Sequence, residues 1–272
     1  MKKVGLWILA IILTLTAAIY QRKTGPTYPK DTDIEINNKK YSVTLPRSHV
    51  STEDCEISLD VPPPVTGRIY YKRYPTNKEW QREELETEDN QLKGYLPAQP
   101  PAGKLEYYLE LKHNQTIIHI AQNEPVIIRF KGEVPDAILV PHVIFMFLAM
   151  MFSTLAGLFA LGKFSDYKLY GYITIGLLII GGFVFGPIMQ YFAFGDFWTG
   201  IPFGWDLTDN KTLIAFVGWL TAILSNQKKN KPKYYIFAAL LLLLIFSIPH
   251  SLMGSELNYE TGEIKTGMIL GF

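Results

Sequence analysis

Residues 141–162 read PHVIFMFLAMMFSTLAGLFALG. This run carries no charge and, coiled as an α-helix, is long enough to cross about 30 Å of hydrocarbon. In lipid a lone segment must close its own backbone hydrogen bonds, and a helix does so. Similar runs flank it. Toward the C-terminus lie 169–194, with no charge between Lys168 and Asp196, then 207–225, apolar only from Thr212 onward, and 234–250. Toward the N-terminus, residues 4–20 (VGLWILAIILTLTAAIY) follow Met1-Lys2-Lys3 and suit either a signal anchor or a signal peptide. The hydrophobic content of 48% would suit a soluble globule if evenly spread; its concentration after residue 136 excludes a single soluble domain.

Lysines orient these spans. Lys2, Lys3, Lys163, Lys168, Lys228, Lys229, Lys231 and Lys233 fall on one side if each segment crosses once; Lys211 and Lys265 fall on the other. The lysine-rich side is therefore expected to be cytoplasmic. The N-terminus joins it, while residues 23–135 and the C-terminal tail face outward. Between the lysine loops and the outer face no ionisable residue provides a stepping stone for ions, which argues against transport. A net charge of +1 gives no field for a nucleic-acid backbone, and a single cysteine, Cys55, excludes an intramolecular disulfide.

Residues 40–132 alternate apolar and polar side chains in short runs separated by proline and glycine. KYSVTLP, CEISLDVP, GRIYYKRYP, NQLKGYLP, GKLEYYLEL, QTIIHIA and PVIIRFKG read as strands of an antiparallel β-sandwich. The acidic stretch Glu83–Asp89 reads as a solvated edge, and His113 and His119 as surface residues around a hairpin. Cys55 reads as a small hydrophobe in a strand. The tyrosine-bearing strand GKLEYYLEL after the proline-rich corner 96–103 resembles immunoglobulin-like and fibronectin type III-like domains. That resemblance implies a binding or spacer module and assigns no function. The membrane half resembles no characterised family.

Candidate site residues gather at the outward helix ends. His142 and His250 each follow a proline and are the two histidines of the membrane half. Met146 lies one turn inward from His142; Met189 and Met253 lie at similar depth. Histidine with thioether sulfur suits haem b iron or copper(I), so His142 and His250, with Met146, Met189 and Met253, form a candidate cofactor or metal set. Two other readings stay open: interfacial histidines bonded to headgroups or a carbonyl, and a proton- or quinone-handling site pairing a histidine with Asp206 or Asp196. The loop FGDFWTGIPFGWDLTDN, 194–210, is too aromatic for water and too charged for lipid, and is expected to roof the bundle with Asp196, Trp198, Trp205 and Asp206. Thr208 or Asp209 is the expected cap of the following helix. Gly182 and Gly186 suggest a close-packing face, and Pro187 a kink that frees the Phe183 carbonyl.

The expected whole is an α+β membrane protein of the cytoplasmic (inner) membrane: anchor 1–22, extracytoplasmic sandwich 23–135, four-span transmembrane bundle 136–250 and extracytoplasmic tail 251–272. Its expected partners are the lipid bilayer and a periplasmic or membrane protein. It reads as an accessory or receptor protein, with a haem- or copper-binding redox protein as the alternative. No catalytic residue is assigned, since neither GxSxG nor HExxH occurs.

Overall fold

A computed structural model describes residues 2–76, 78–250 and 254–265. The chain is mixed α+β, and its described residues divide into a sheet-rich unit, within 27–133 and 256–265, and a helical unit, within 2–26 and 134–255.

In the sheet-rich unit, β1 (Lys30–Ile36) and β2 (Lys39–Leu45) form a hairpin. Its two-residue turn places Asn37 and Asn38 at φ of 54° and 60°, a conformation asparagine tolerates and tight hairpins require. The remaining strands are β3 (Ser48–Val50), β4 (Cys55–Leu59), β5 (Thr66–Arg73), β6 (Gln81–Glu88), β7 (Gln91–Leu96), β8 (Lys104–His113), β9 (Thr116–Ile120) and β10 (Val126–Lys131). They make one sheet in the order β3-β10-β8-β5-β6-β7-β4, with β9 beside the second half of β8. All pairs are antiparallel except β3 with β10.

The sheet is a nearly closed barrel and not clearly the expected sandwich. The reason lies in β6. Its first half pairs with β5 (Gly67 opposite Leu85) and its second half with β7 (Glu86 opposite Lys93), so one strand carries the ladder around a corner. The acidic segment is thus a strand bonded on both sides, with Leu85 alone turned inward. On β8, Leu105, Tyr107, Leu109 and Leu111 point into the core as their alternation requires, beside Ile57, Ile69 and Phe130. The Tyr107 hydroxyl donates to the Pro46 carbonyl at 2.9 Å, and burial holds that phenol well above its ordinary range. His113 is buried at the end of β8; His119 is not. Cys55 is also buried, and desolvation with Glu53 and Glu56 nearby pushes its thiol up to about 12.

Residues 251–272, expected as a separate tail, include a small hairpin, β11 (Glu256–Leu257) with β12 (Ile264–Lys265), that belongs to the sheet-rich unit. Lys104 meets Glu256 at 2.6 Å. The Tyr259 hydroxyl accepts from the Lys104 N–H and donates to the Lys104 carbonyl, while Arg73 lies over its ring.

The helical unit contains α1 (Lys2–Lys23), α2 (Asp136–Leu161), α3 (Tyr167–Leu178), a π-helical segment (Ile179–Phe185) that continues into α4 (Gly186–Phe194), α5 (Leu207–Gln227) and α6 (Pro232–Ser247). Among the described residues, three helices are long and apolar enough to cross a membrane: α1, α2 and the continuous 167–194 helix. The other two expected spans differ for separate reasons. The first turn of α5 buries Asp209, Asn210 and Lys211, and α6 has 16 residues. The core is built from small residues facing large rings. A Cβ on Gly171 would collide with Tyr235, one on Gly157 would come within 2.5 Å of the Ala239 Cβ, and Trp219 donates from Nε1 to the Ser153 hydroxyl at 3.1 Å.

At one end of this unit the lysine-bearing segments meet. Lys3 of α1 pairs with Asp166 at 2.7 Å, and Lys168 donates to Asn230 at 2.6 Å. Beneath them the Tyr167 hydroxyl donates to Asn226 Oδ1, and Asn226 bonds the Lys231 backbone through both its oxygen and its nitrogen.

Candidate functional site at the histidine-bearing end

The opposite end holds both candidate histidines, and α2 brings the first. His142, half-buried, places Nδ1 2.9 Å from the Gly181 carbonyl oxygen. A carbonyl only accepts, so Nδ1 carries the proton; in the neutral ring Nε2 then keeps its lone pair. The same carbonyl accepts the Gly186 N–H, the i→i+5 bond of the π segment. This segment stands immediately before Pro187, where the missing N–H already prevents a regular α-helical ladder. The expected kink is therefore taken up as a widened turn that presents a carbonyl to α2.

The two glycines of the expected packing face do different work. Gly182 lets α5 approach, since a Cβ there would lie 2.5 Å from Thr212 Cγ2; Gly186 faces His142, where a Cβ would lie in ordinary contact, 3.7 Å from the ring Cε1. Met146 approaches Gly181, where a Cβ would stand 3.0 Å from its sulfur. His142 and Met146 thus converge on one short stretch of the π segment.

His250 has an exposed side chain just beyond α6, within electrostatic reach of His142 and Lys211. Lys211, in the first turn of α5, is only 3% exposed. Its Nζ donates to the Ile248 carbonyl at 2.8 Å and approaches that of Pro249 at 3.5 Å. The amine thereby ties the first turn of α5 to the two backbone carbonyls that follow the end of α6.

The roof loop is fastened by the same turn of α5. Asp206, not Thr208 or Asp209, is the N-cap: its Oδ1 accepts from the N–H groups of Thr208 and Asp209. Asp209 instead reaches into the loop and accepts from the N–H groups of Thr199 at 2.7 Å and Gly200 at 3.0 Å, while Asn210 accepts from Ile201 at 2.8 Å. Gly200 must lack a side chain, because a Cβ would stand 2.7 Å from that of Asp209. The Gln190 amide turns its nitrogen to Asp209, at 2.8 and 3.1 Å from the two oxygens, and its oxygen accepts from the Thr199 hydroxyl; the opposite orientation would set carbonyl against carboxylate.

Of the residues singled out in the sequence, His142, Met146, His250 and Asp206 lie in or beside this assembly. The pairing of a histidine with Asp206 or Asp196 is replaced, for His142, by the Gly181 carbonyl. Trp198 stacks on Phe183 and donates to the Ile201 carbonyl. Asp196 and Trp205 are exposed, Met189 is half-buried on α4, and Met253 lies outside the described residues. Among the described residues no three His, Cys, Asp or Glu side chains converge on a metal position. Gln190, Thr199, Asn210 and Lys211 were not anticipated as site residues. Their signal was three consecutive polar residues, Asp209-Asn210-Lys211, heading an apolar helix, where no single face can be the wet one. The chain matches no protein-family model, no curated protein and no solved structure, so its functional reading rests on its own residues.

Proposed function

We propose that the chain is a multi-pass protein of the cytoplasmic membrane that holds its sheet-rich unit outside as a binding module, acting as an accessory or receptor protein. The observation that carries this reading is the meeting of Lys3, the 163–168 loop and the 228–231 loop at one end of the helical unit. Eight lysines gathered there, against Arg22, Lys23 and Lys211 elsewhere in the described helical unit, argue that this end is cytoplasmic. The chain path adds independent support. Both segments of the compact sheet-rich unit must lie on one side of a bilayer, so the stretch 134–255 crosses it an even number of times. Two crossings by α2 and 167–194, joined by α5 and α6, make four.

Cysteine labelling in intact cells tests this. Because Cys55 is buried and its thiol is held protonated, engineered cysteines report against a silent background. A membrane-impermeant maleimide is expected to label Glu124→Cys and to leave Asn230→Cys unlabelled until the cells are opened. Labelling of Asn230→Cys alone from outside overturns the reading.

The redox alternative has one observation in its favour, the free Nε2 of His142, since metal-bound histidines commonly donate their other nitrogen to a carbonyl. Lys211 weighs against it: a metal cation between His142 and His250 would sit beside an ammonium. Purified protein is expected to show no Soret band and no bound copper; either signal, lost together in His142→Ala and His250→Ala, would reverse the choice.

A further inference from the structure

We propose that the histidine-bearing end of the helical unit binds the headgroup of an anionic lipid, with Lys211 as its charge anchor for the phosphate and His142 and His250 as flanking hydrogen-bonding groups. This rests on the membrane reading above. Three nitrogen-bearing side chains converge here, and the acids of the same helix turn are already engaged. Asp206 caps α5, and Asp209 holds Thr199, Gly200 and Gln190. Lys211 spends two of its hydrogen bonds on neutral carbonyls, and the only carboxylate acting on it, that of Asp206, lies beyond ion-pair contact among the described residues. A buried amine with no carboxylate in direct contact, at the end of an apolar bundle, marks a place where a further anion can be held. With Nδ1 donating to Gly181, the Nε2 of the His142 ring is left to accept from a headgroup hydroxyl, while His250 can donate a ring N–H to a phosphate oxygen.

The surroundings select an amphiphile over a free ion. Beside His142, the α2 side chains of Val140, Val143 and Ile144 are about half exposed, and Leu244 and Ile248 are exposed below His250. Acyl chains laid on these residues would carry the headgroup to the Lys211 corner.

The experiment uses full-length protein in nanodiscs, with Kd read by native mass spectrometry or by melting shift. Phosphatidylglycerol is expected to bind about tenfold tighter than phosphatidylcholine. His250→Ala, at an exposed position, should weaken phosphatidylglycerol binding severalfold without altering the melting temperature in phosphatidylcholine, and Lys211→Met should abolish the preference. Equal affinity for the two lipids, or a preference untouched by both substitutions, overturns the proposal. A melting shift reproduced by millimolar inorganic phosphate in phosphatidylcholine discs, and unchanged by phosphatidylglycerol, replaces the lipid with a free anion. Because binding is read on purified protein, an inverted orientation in cells would defeat the topology alone; a chain that stays soluble without detergent would defeat both.

Discussion

The two ends of the helical unit are held by different physics. At the lysine-bearing end the ties made by charged side chains are exposed, Lys3 to Asp166 and Lys168 to Asn230, pairs that water competes for. A single buried amide, Asn226, joins Tyr167 to the Lys231 backbone beneath them. At the histidine-bearing end the ties are buried and run from side chain to backbone: Asp209 to Thr199 and Gly200, Asn210 to Ile201, Lys211 to Ile248. Exposed lysines set which way a helix faces without adding much to its stability. Buried polar groups do the opposite, because each one left unmatched costs its full desolvation. One end therefore orients the protein, and the other fixes a particular conformation of loop and helix.

Asp209→Ala should break this contrast most severely. It strands the buried N–H groups of Thr199 and Gly200 and frees the Gln190 amide, for a loss of about 3 kcal/mol. Melting in detergent, together with new protease cleavage within 195–205, reads the effect; an unchanged melt and an uncut loop would mean the network is ornamental. Around Gly171, in the lysine-bearing half of the unit, the contacts are with aromatic rings. Gly171→Leu drives a side chain into Tyr235 and Trp219 and should cost about 2 kcal/mol by overpacking. A neutral result there would show the Tyr235 ring free to move, and the end looser than its packing implies.

Alternation and length made seven strands and three long helices legible, because both signals are local. What escaped notice has nonlocal causes. β6 carries one inward residue, Leu85, in an otherwise charged run, so no period-two pattern marks it; its place is set by β5 and β7. β1 opens with Lys30-Asp31-Thr32-Asp33 and turns apolar only at Ile34, and only its partner β2 identifies it. The closure of the sheet toward a barrel follows from β6 turning the corner, which no window of sequence contains. At the site, His142 and Met146 were legible as residues sharing a helix face. The acceptor of His142 was not, because the Gly181 carbonyl is offered by a π turn whose extra residue is a property of the folded backbone. Asp209 was legible as acidic and near a helix start, the description of a cap; Asp206 holds that position, and only the folded loop shows where Asp209 reaches.

A smaller effect sharpens the comparison at the lysine-bearing end. Tyr167→Phe removes the bond to Asn226 Oδ1 at 3.2 Å while keeping the ring against Tyr235. Asn226 retains its bonds to Lys231, so the expected loss is about 1 kcal/mol. A loss as large as that of Asp209→Ala would make the two ends alike.

The smallest effect expected is from Lys3→Ala. Its pair with Asp166 joins α1 to the loop between α2 and α3, yet the lysine side chain is 54% exposed, so the melting temperature should not change measurably. Orientation should also survive replacement of Lys2 and Lys3 together, because six lysines remain at that end: Lys163 and Lys168 in one loop, and Lys228, Lys229, Lys231 and Lys233 in the other. Neutralising those six while leaving Lys2 and Lys3 should instead scramble the labelling of Glu124→Cys and Asn230→Cys, with purified protein melting as before. A large drop in melting temperature from Lys3→Ala would mean that this pair is shielded by its surroundings, and that orientation and stability are not separated between the two ends.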